Sequence, residues 1–338
     1  MWTWKRPICA AAVGLVLGGG GLLAGDAARA EATAPAAGAY EVGRSYFGAN
    51  GYIEYIPGDA PVILTAPHGG TLRPDSIPDR TKDACGGAAT VVMDTNTAEL
   101  VLAMRKSFHD RYGTYPHVII SRISRRKLDA NRPLEEAACG NAEAARAFAE
   151  WHAFIDAAKS DVIRTSGRGW YMDMHGHGHD IQRLELGYLL KPALLNASDA
   201  ELDASTAARE RTGVRGMLRE KSLSEILRGR SSLGALYARA GFRSVPSDVD
   251  PRPGEAKYFN GGYNTVRHTC GAEAAAAGGT TGDAICGIQI ESNFKGVRDT
   301  PASRKRFGDA TAQVLGEYLG AHWGLHLTAE AAKVRARG

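Results

Sequence analysis

Short apolar runs alternate with longer stretches of helical periodicity along most of the chain. Pro61–Ala66 is a continuous apolar run with β-branched members and reads as a buried strand. Asp94–Tyr112 carries Leu100, Leu102, Ala103 and Phe108 at helical spacing behind an Asp-Thr-Asn start. His117–Ser121 predicts the next buried strand, Ala142–Lys159 a helix, and Gly169–Met174 another strand. Further strands are expected at Gly187–Leu190 and Gly287–Glu291. Helices are expected near Ala200–Glu210, at Ser222–Ala240 and at Pro301–Leu319, the last with its proline in the first turn, where a missing N–H costs nothing. Strands alternating with helices predict an α/β fold: a single doubly wound, mostly parallel sheet with helices on both faces. No repeat and no compositional break divides residues 40–338, which read as one domain.

Composition changes this picture little. The 338 residues are 44% hydrophobic and 23% charged with a net charge of +4, too small and dispersed a charge to argue for a nucleic-acid partner. The N-terminus matters more. Lys5 and Arg6 precede an apolar, Gly-rich run over Ile8–Gly25, and Ala28-Arg29-Ala30 offers a small-x-small cleavage pattern. Residues 1–30 thus read as a secretory signal and 31–39 as an Ala/Pro-rich mobile tail, which places the chain in the periplasm or outside the cell, with no membrane attachment after signal removal. Four cysteines then remain, and an oxidising compartment favours two disulfides. Cys270 and Cys286 bracket a Gly/Ala/Thr loop that a bridge would pin, leaving Cys85 to pair with Cys139.

In such sheets chemistry gathers at the carboxyl ends of the strands. Here the first strand runs into His68-Gly69-Gly70, the second towards Arg125, Asn131 and Arg132, the third through Asp173 into His175-Gly176-His177-Gly178-His179, and the last into Glu291. Two imidazoles and a carboxylate suit zinc, and a zinc with an open position lowers the pKa of a water enough for amide hydrolysis. His68 and His175 are the expected metal ligands, with Asp94 the carboxylate that completes the set and Glu99 the fallback. As an ordinary helix cap, Asp94 would be left out of the metal site. Asp173, on the same strand face as His175, could orient that imidazole or contact the site. His177 and His179 are held back as ligands, His177 being expected to line the substrate pocket. A free carboxylate must move the proton, and Glu291, ending a buried strand, is the candidate. Arginines can stabilise an oxyanion or grip a substrate carboxylate.

These stretches carry a resemblance. Pro67-His68-Gly69-Gly70 resembles the PHSG segment of the N-formylglutamate amidohydrolase family, which is related in fold to zinc carboxypeptidases. Asp94-Thr95 through Glu99-Leu100 resembles its helix start, and Arg125 through Asp129-Ala130-Asn131-Arg132 its R-x-x-x-D-L-N-R. Asp173-Met174-His175 resembles its D-x-H, Tyr258 through Tyr263 its Gly-Gly-Tyr segment, and Gln289-Ile290-Glu291-Ser292-Asn293 its Q-I-E-I-N. The resemblance implies a zinc-dependent amidohydrolase with a carboxypeptidase-like architecture. Its substrate would be a short N-acylated, carboxylate-bearing molecule, an N-acyl amino acid or short peptide. By position, His68, Asp94 and His175 match the metal segments and Glu291 the base, while Arg125, Asn131 and Arg132 match the oxyanion and carboxylate contacts. Gly69 and Gly176 depart from the family, which has serine at both places. A periplasmic cell-wall amidase of the N-acetylmuramoyl-L-alanine type shares much of this pattern, and a non-catalytic zinc-binding periplasmic protein would use the histidine run alone.

Overall fold

Alternation along the central strands splits the hydrophobic core into two layers. Ile63, Ile119, Tyr171 and Ile285 face one side of the sheet, while Leu64, Val118, Met172 and Ile288 face the other, as a two-residue side-chain period requires. The computed structural model describes residues 40–86, 89–219 and 221–327; the expected signal over 1–30 and tail over 31–39 lie outside them. Its strands are β1 (Tyr46–Phe47), β2 (Ile53–Ile56), β3 (Val62–Ala66), β4 (His117–Ser121), β5 (Gly169–Gly176), β6 (Leu184–Gly187), β7 (Ser244–Val245) and β8 (Ile285–Ser292). They form one sheet in the order β1-β2-β4-β3-β5-β8-β6-β7. The central four, β4, β3, β5 and β8, are parallel, and the flanking β2 and β6 join them antiparallel.

The helices are α1 (Thr97–Tyr112), α2 (Leu134–Ala138), α3 (Ala142–Ser166), α4 (Pro192–Leu195), α5 (Asp199–Ala204), α6 (Thr206–Arg211), α7 (Leu223–Arg228), α8 (Leu233–Arg239), α9 (Tyr263–His268) and α10 (Pro301–Trp323). α1 and α10 cover one face through Leu100, Met104, Phe108, Phe307 and Leu315. α3 covers the other through Trp151, Ile155 and Val162. The expected α/β sheet with helices on both faces is present.

Local chemistry explains the departures. The strand expected at Gly187–Leu190 lies instead at Leu184–Gly187, and the chain leaves it through Leu189 at φ 66°, a left-handed conformation that interrupts extended backbone. The helix expected near Ala200–Glu210 breaks where Ser205 caps α6 by accepting from the Ala208 N–H. The one over Ser222–Ala240 breaks before Ser232, which caps α8 in the same way. β2 escaped the hydrophobic pattern because Glu54 interrupts it; this buried carboxylate accepts from Arg122 Nε at 2.7 Å. Both expected disulfides, Cys85–Cys139 and Cys270–Cys286, are formed.

Behind the sheet's functional end lies a buried polar cluster. Lys159 Nζ donates to Asp156 at 2.9 Å and to His268 Nδ1 at 3.2 Å, and His268 Nε2 meets His152 Nδ1 at 2.8 Å. Burial pushes His268 down to about 4 from 6.5, and burial likewise pushes His152 well down. The unfolded chain therefore takes up a proton near pH 6.5 that native His268 accepts only near pH 4. Stability should be complete above pH 6.5 and fall between 6.5 and about 4, on the order of 3 kcal/mol for His268 alone. Urea unfolding at pH 7.5 and 4.5 measures the loss, and His268→Gln should shrink it; an equal loss in that variant would assign the effect elsewhere.

Candidate metal centre

The parallel register brings the polar strand ends together. β5 and β8 pair Asp173 with Gln289 and His175 with Glu291, so all four side chains share the face that α3 covers. The turn after β3 presents His68, and the loop before α1 presents Asp94. Gly70 is required in that turn, because a Cβ there would lie 2.4 Å from the backbone of Arg122 and Ile123. The glycine thus lets the turn lie against the neighbouring strand end rather than against a ligand. Asp94 does not cap α1: the helix begins at Thr97 behind Asn96, and no side chain caps it. The Asp94 carboxylate instead points into the site, where Oδ2 lies 3.3 Å from His68 Nδ1, 3.2 Å from His175 Nδ1 and 3.2 Å from the Gly176 N–H. Glu99, the fallback, is exposed on α1.

Each imidazole is anchored through its far nitrogen. His68 Nε2 donates to Asp129 at 2.7 Å and His175 Nε2 to Asp173 at 2.8 Å. Both Nδ1 atoms are thereby turned towards Asp94, the arrangement of metal-bound histidines with carboxylate partners behind them. Asp129 is held in turn by Arg125 Nε at 2.9 Å and lies 3.7 Å from Arg80. Asp173 accepts from Thr65 at 2.5 Å and from Asn264 at 3.2 Å.

His68, Asp94 and His175 could hold a metal ion, and the distances fit one. Two ligands on a tetrahedral zinc with bonds near 2.0–2.1 Å are separated by roughly 3.3–3.4 Å, against 3.2 and 3.3 Å here. The electrostatics agree. Burial pushes Asp94 up, but hydrogen bonds from His175 and His68 outweigh it and hold its carboxyl well below the usual range. Burial lowers His175, but Asp173 outweighs it and raises the imidazole well above its ordinary value. Carboxylates on both sides of His175 make a place that favours positive charge. Glu291 goes the other way: burial, helped by Asp94 and Glu185, raises its carboxyl to about 8 against the pull of His175.

The remaining expected residues separate by accessibility. Arg132 is half-exposed, with long contacts to Asn131 O at 3.5 Å and Glu136 at 3.9 Å. Arg125 mainly braces Asp129 and lies 3.8 Å from Asp94. Asn131 is buried, donates to Gln289 at 3.4 Å and accepts from the Asn264 N–H at 2.8 Å. Asp173 is fully buried behind His175, whose Nε2 donates to it at 2.8 Å. His177 is also buried, its Nε2 donating to Arg183 O at 2.8 Å.

Sequence reasoning missed Asp129, Arg80, Asn264 and Arg298. Asp129 stood in plain view four residues after Arg125. Arg298 is buried beneath Gly176 and donates to the carbonyls of Ser292 and Thr95, tying the end of Glu291's strand to the loop that carries Asp94. A Cβ on Gly176 would lie 2.2 Å from its guanidinium carbon. Because Asp129 anchors His68, Asp129→Asn should weaken metal affinity by about 10–100-fold while leaving all three ligands in place. Competition titration with a chromophoric chelator reads this directly; unchanged affinity would remove Asp129 from the centre.

No protein-family model matches the chain, and no curated protein matches it. Solved structures similar in outline include the following three. One is a gene product of Agrobacterium tumefaciens, with a TM-score of 0.44 and 14% identity over 80% of this chain and 95% of that one. Another is an N-formylglutamate amidohydrolase from Ralstonia eutropha JMP134, with a TM-score of 0.41 and 14% identity over 82% and 95%. The third is the N-acetylmuramyl-L-alanine amidase Ami1 from Mycobacterium abscessus, with a TM-score of 0.32 and 12% identity over 76% and 98%. Likeness this distant leaves the chemistry to the side chains themselves.

Proposed function

We propose that the chain is an exported zinc-dependent amidohydrolase that cleaves the amide of a short N-acylated, carboxylate-bearing substrate. The observation that carries this reading is the approach of His68 Nδ1 and His175 Nδ1 to Asp94 Oδ2 at 3.3 and 3.2 Å, all three ligand atoms lying within 4.8 Å of one another, with Glu291 beside His175 in register. His68, Asp94 and His175 would hold the zinc, which supplies an acidified water and polarises the amide carbonyl. Glu291 takes the proton from the attacking water and delivers it to the leaving nitrogen. Glu291, buried at the end of its strand beside His175, is placed to hold and release that proton. Asp129 and Asp173 fix the imidazoles, and Arg125 braces Asp129 close to Asp94. Arg132, half-exposed and loosely held, is the guanidinium able to take the substrate carboxylate in a bidentate grip.

The deciding experiment is a substrate panel of N-formyl and N-acetyl amino acids, their carboxyamides, and muropeptides. Turnover of the free acids over the amides is the expected result. Arg132→Ala should raise KM for the acids with little change in kcat, because the contact exists in ground and transition states alike. Muropeptide cleavage without turnover of N-acyl amino acids would replace the substrate class with a cell-wall one. Absence of turnover on every member by zinc-loaded protein would leave a metal-binding protein without this chemistry.

A further inference from the structure

The histidine run does not end at His175. β5 is continued beyond Gly176 by the His177 N–H, which donates to Ser292 O at 3.1 Å, and the chain returns as β6 from Leu184. We propose that His177, His179 and Glu185 form a second metal site for a divalent transition ion, distinct from the centre at His68, Asp94 and His175. A ligand atom from each of the three lies within 4.8 Å of the others, and the donor set of two imidazoles and one carboxylate is again one that zinc accepts.

Three features prepare the group for a cation. First, His177 Nε2 donates to Arg183 O at 2.8 Å. That bond fixes the tautomer and leaves Nδ1 as the lone-pair side, now accepting the His179 N–H at 3.1 Å. An imidazole anchored through one nitrogen to a backbone carbonyl is the usual state of a metal-bound histidine. Second, His179 is fixed from both sides: its Nδ1 meets Glu185 Oε1 at 2.8 Å and its ring stacks on Phe259 at 4.6 Å. Its side chain is 15% exposed, which gives an ion a way in. Third, Glu185 is a buried carboxylate whose two oxygens meet one hydrogen-bond partner each, His179 and Phe259. It is 1% exposed, its other oxygen accepts only the neutral Phe259 N–H at 2.8 Å, and the antiparallel register sets it directly opposite Glu291. Binding exchanges the proton between His179 and Glu185 for the ion, as metal binding by imidazole and carboxylate generally does.

The test counts ions. Full-length protein is stripped with a chelator, checked by circular dichroism, and titrated with Zn²⁺ against a chromophoric competitor. Wild type should bind two equivalents per chain, His179→Ala one, His68→Ala one, and the double variant none. Glu185→Gln, which keeps an acceptor for the Phe259 N–H, should weaken one equivalent by about tenfold or more while leaving the other unchanged. If His179→Ala and Glu185→Gln both bind zinc as wild type does, the second site is overturned. Should His68→Ala retain every equivalent, the first centre fails instead, while loss of one equivalent in His179→Ala would still uphold the second.

Discussion

Glu291→Gln is expected to keep its zinc and its substrate affinity while kcat falls by at least about 10²-fold, the usual scale for a positioned proton-transfer group. The substitution is close to isosteric, and Gln289 Nε2, which donates to Glu291 Oε1 at 3.0 Å, would still find an oxygen. What disappears is the ability to carry a proton. The effect should fall on kcat and kcat/KM together, because the lost interaction belongs to the transition state. Metal analysis alongside steady-state kinetics checks it. Near-normal turnover with zinc bound would remove Glu291 from the chemistry and with it the proposed mechanism.

The second large effect is expected at the imidazoles, and it should differ between them. Both His68→Ala and His175→Ala should abolish activity and high-affinity binding at the centre. The costs to stability should diverge, because each variant leaves a fully buried carboxylate without its imidazole. Asp129 would retain Arg125 at 2.9 Å and Arg80 at 3.7 Å, so His68→Ala leaves a charge that is still paired. Asp173 would keep the neutral Thr65 and Asn264. Breaking a buried pair in that way costs about 3–5 kcal/mol, so His175→Ala should be the less stable of the two by a few kcal/mol. Urea unfolding of the two metal-free variants decides the order. Equal stabilities would mean that Asp173 takes up a proton or is relieved by another group.

Much of this arrangement was legible in the chain because it follows from strand periodicity. His68, His175 and Glu291 end buried apolar runs, and a parallel sheet gathers such ends at one edge. Cysteine spacing likewise anticipated both bridges. Other features depend on contacts that no local pattern encodes. Whether Asp94 capped its helix or faced His68 and His175 hung on the left-handed turn at Asn96. Asp173 looked equally fit to touch substrate or to stand behind His175, and only its complete burial separates the two. Asp129 lies inside the Arg125–Arg132 motif, but its partner His68 is 61 residues away, and Arg298 acts on a carbonyl still more remote in sequence, that of Thr95, so no local pattern gave either its role. β6 was misplaced by three residues because Leu184–Leu190 is nearly uniform in hydrophobicity apart from Glu185, so periodicity gave its end no marker.

The fit between Gly176 and Arg298 constrains how this chain can diverge. With a Cβ at position 176 falling 2.2 Å from the guanidinium carbon, position 176 cannot gain a side chain while Arg298 keeps this pose. The resembling family carries serine after its histidine, and such a serine cannot coexist with an arginine in this pose. The two positions are therefore epistatic: Gly176→Ser should be harmful with Arg298 present and far better tolerated after Arg298 has been shortened.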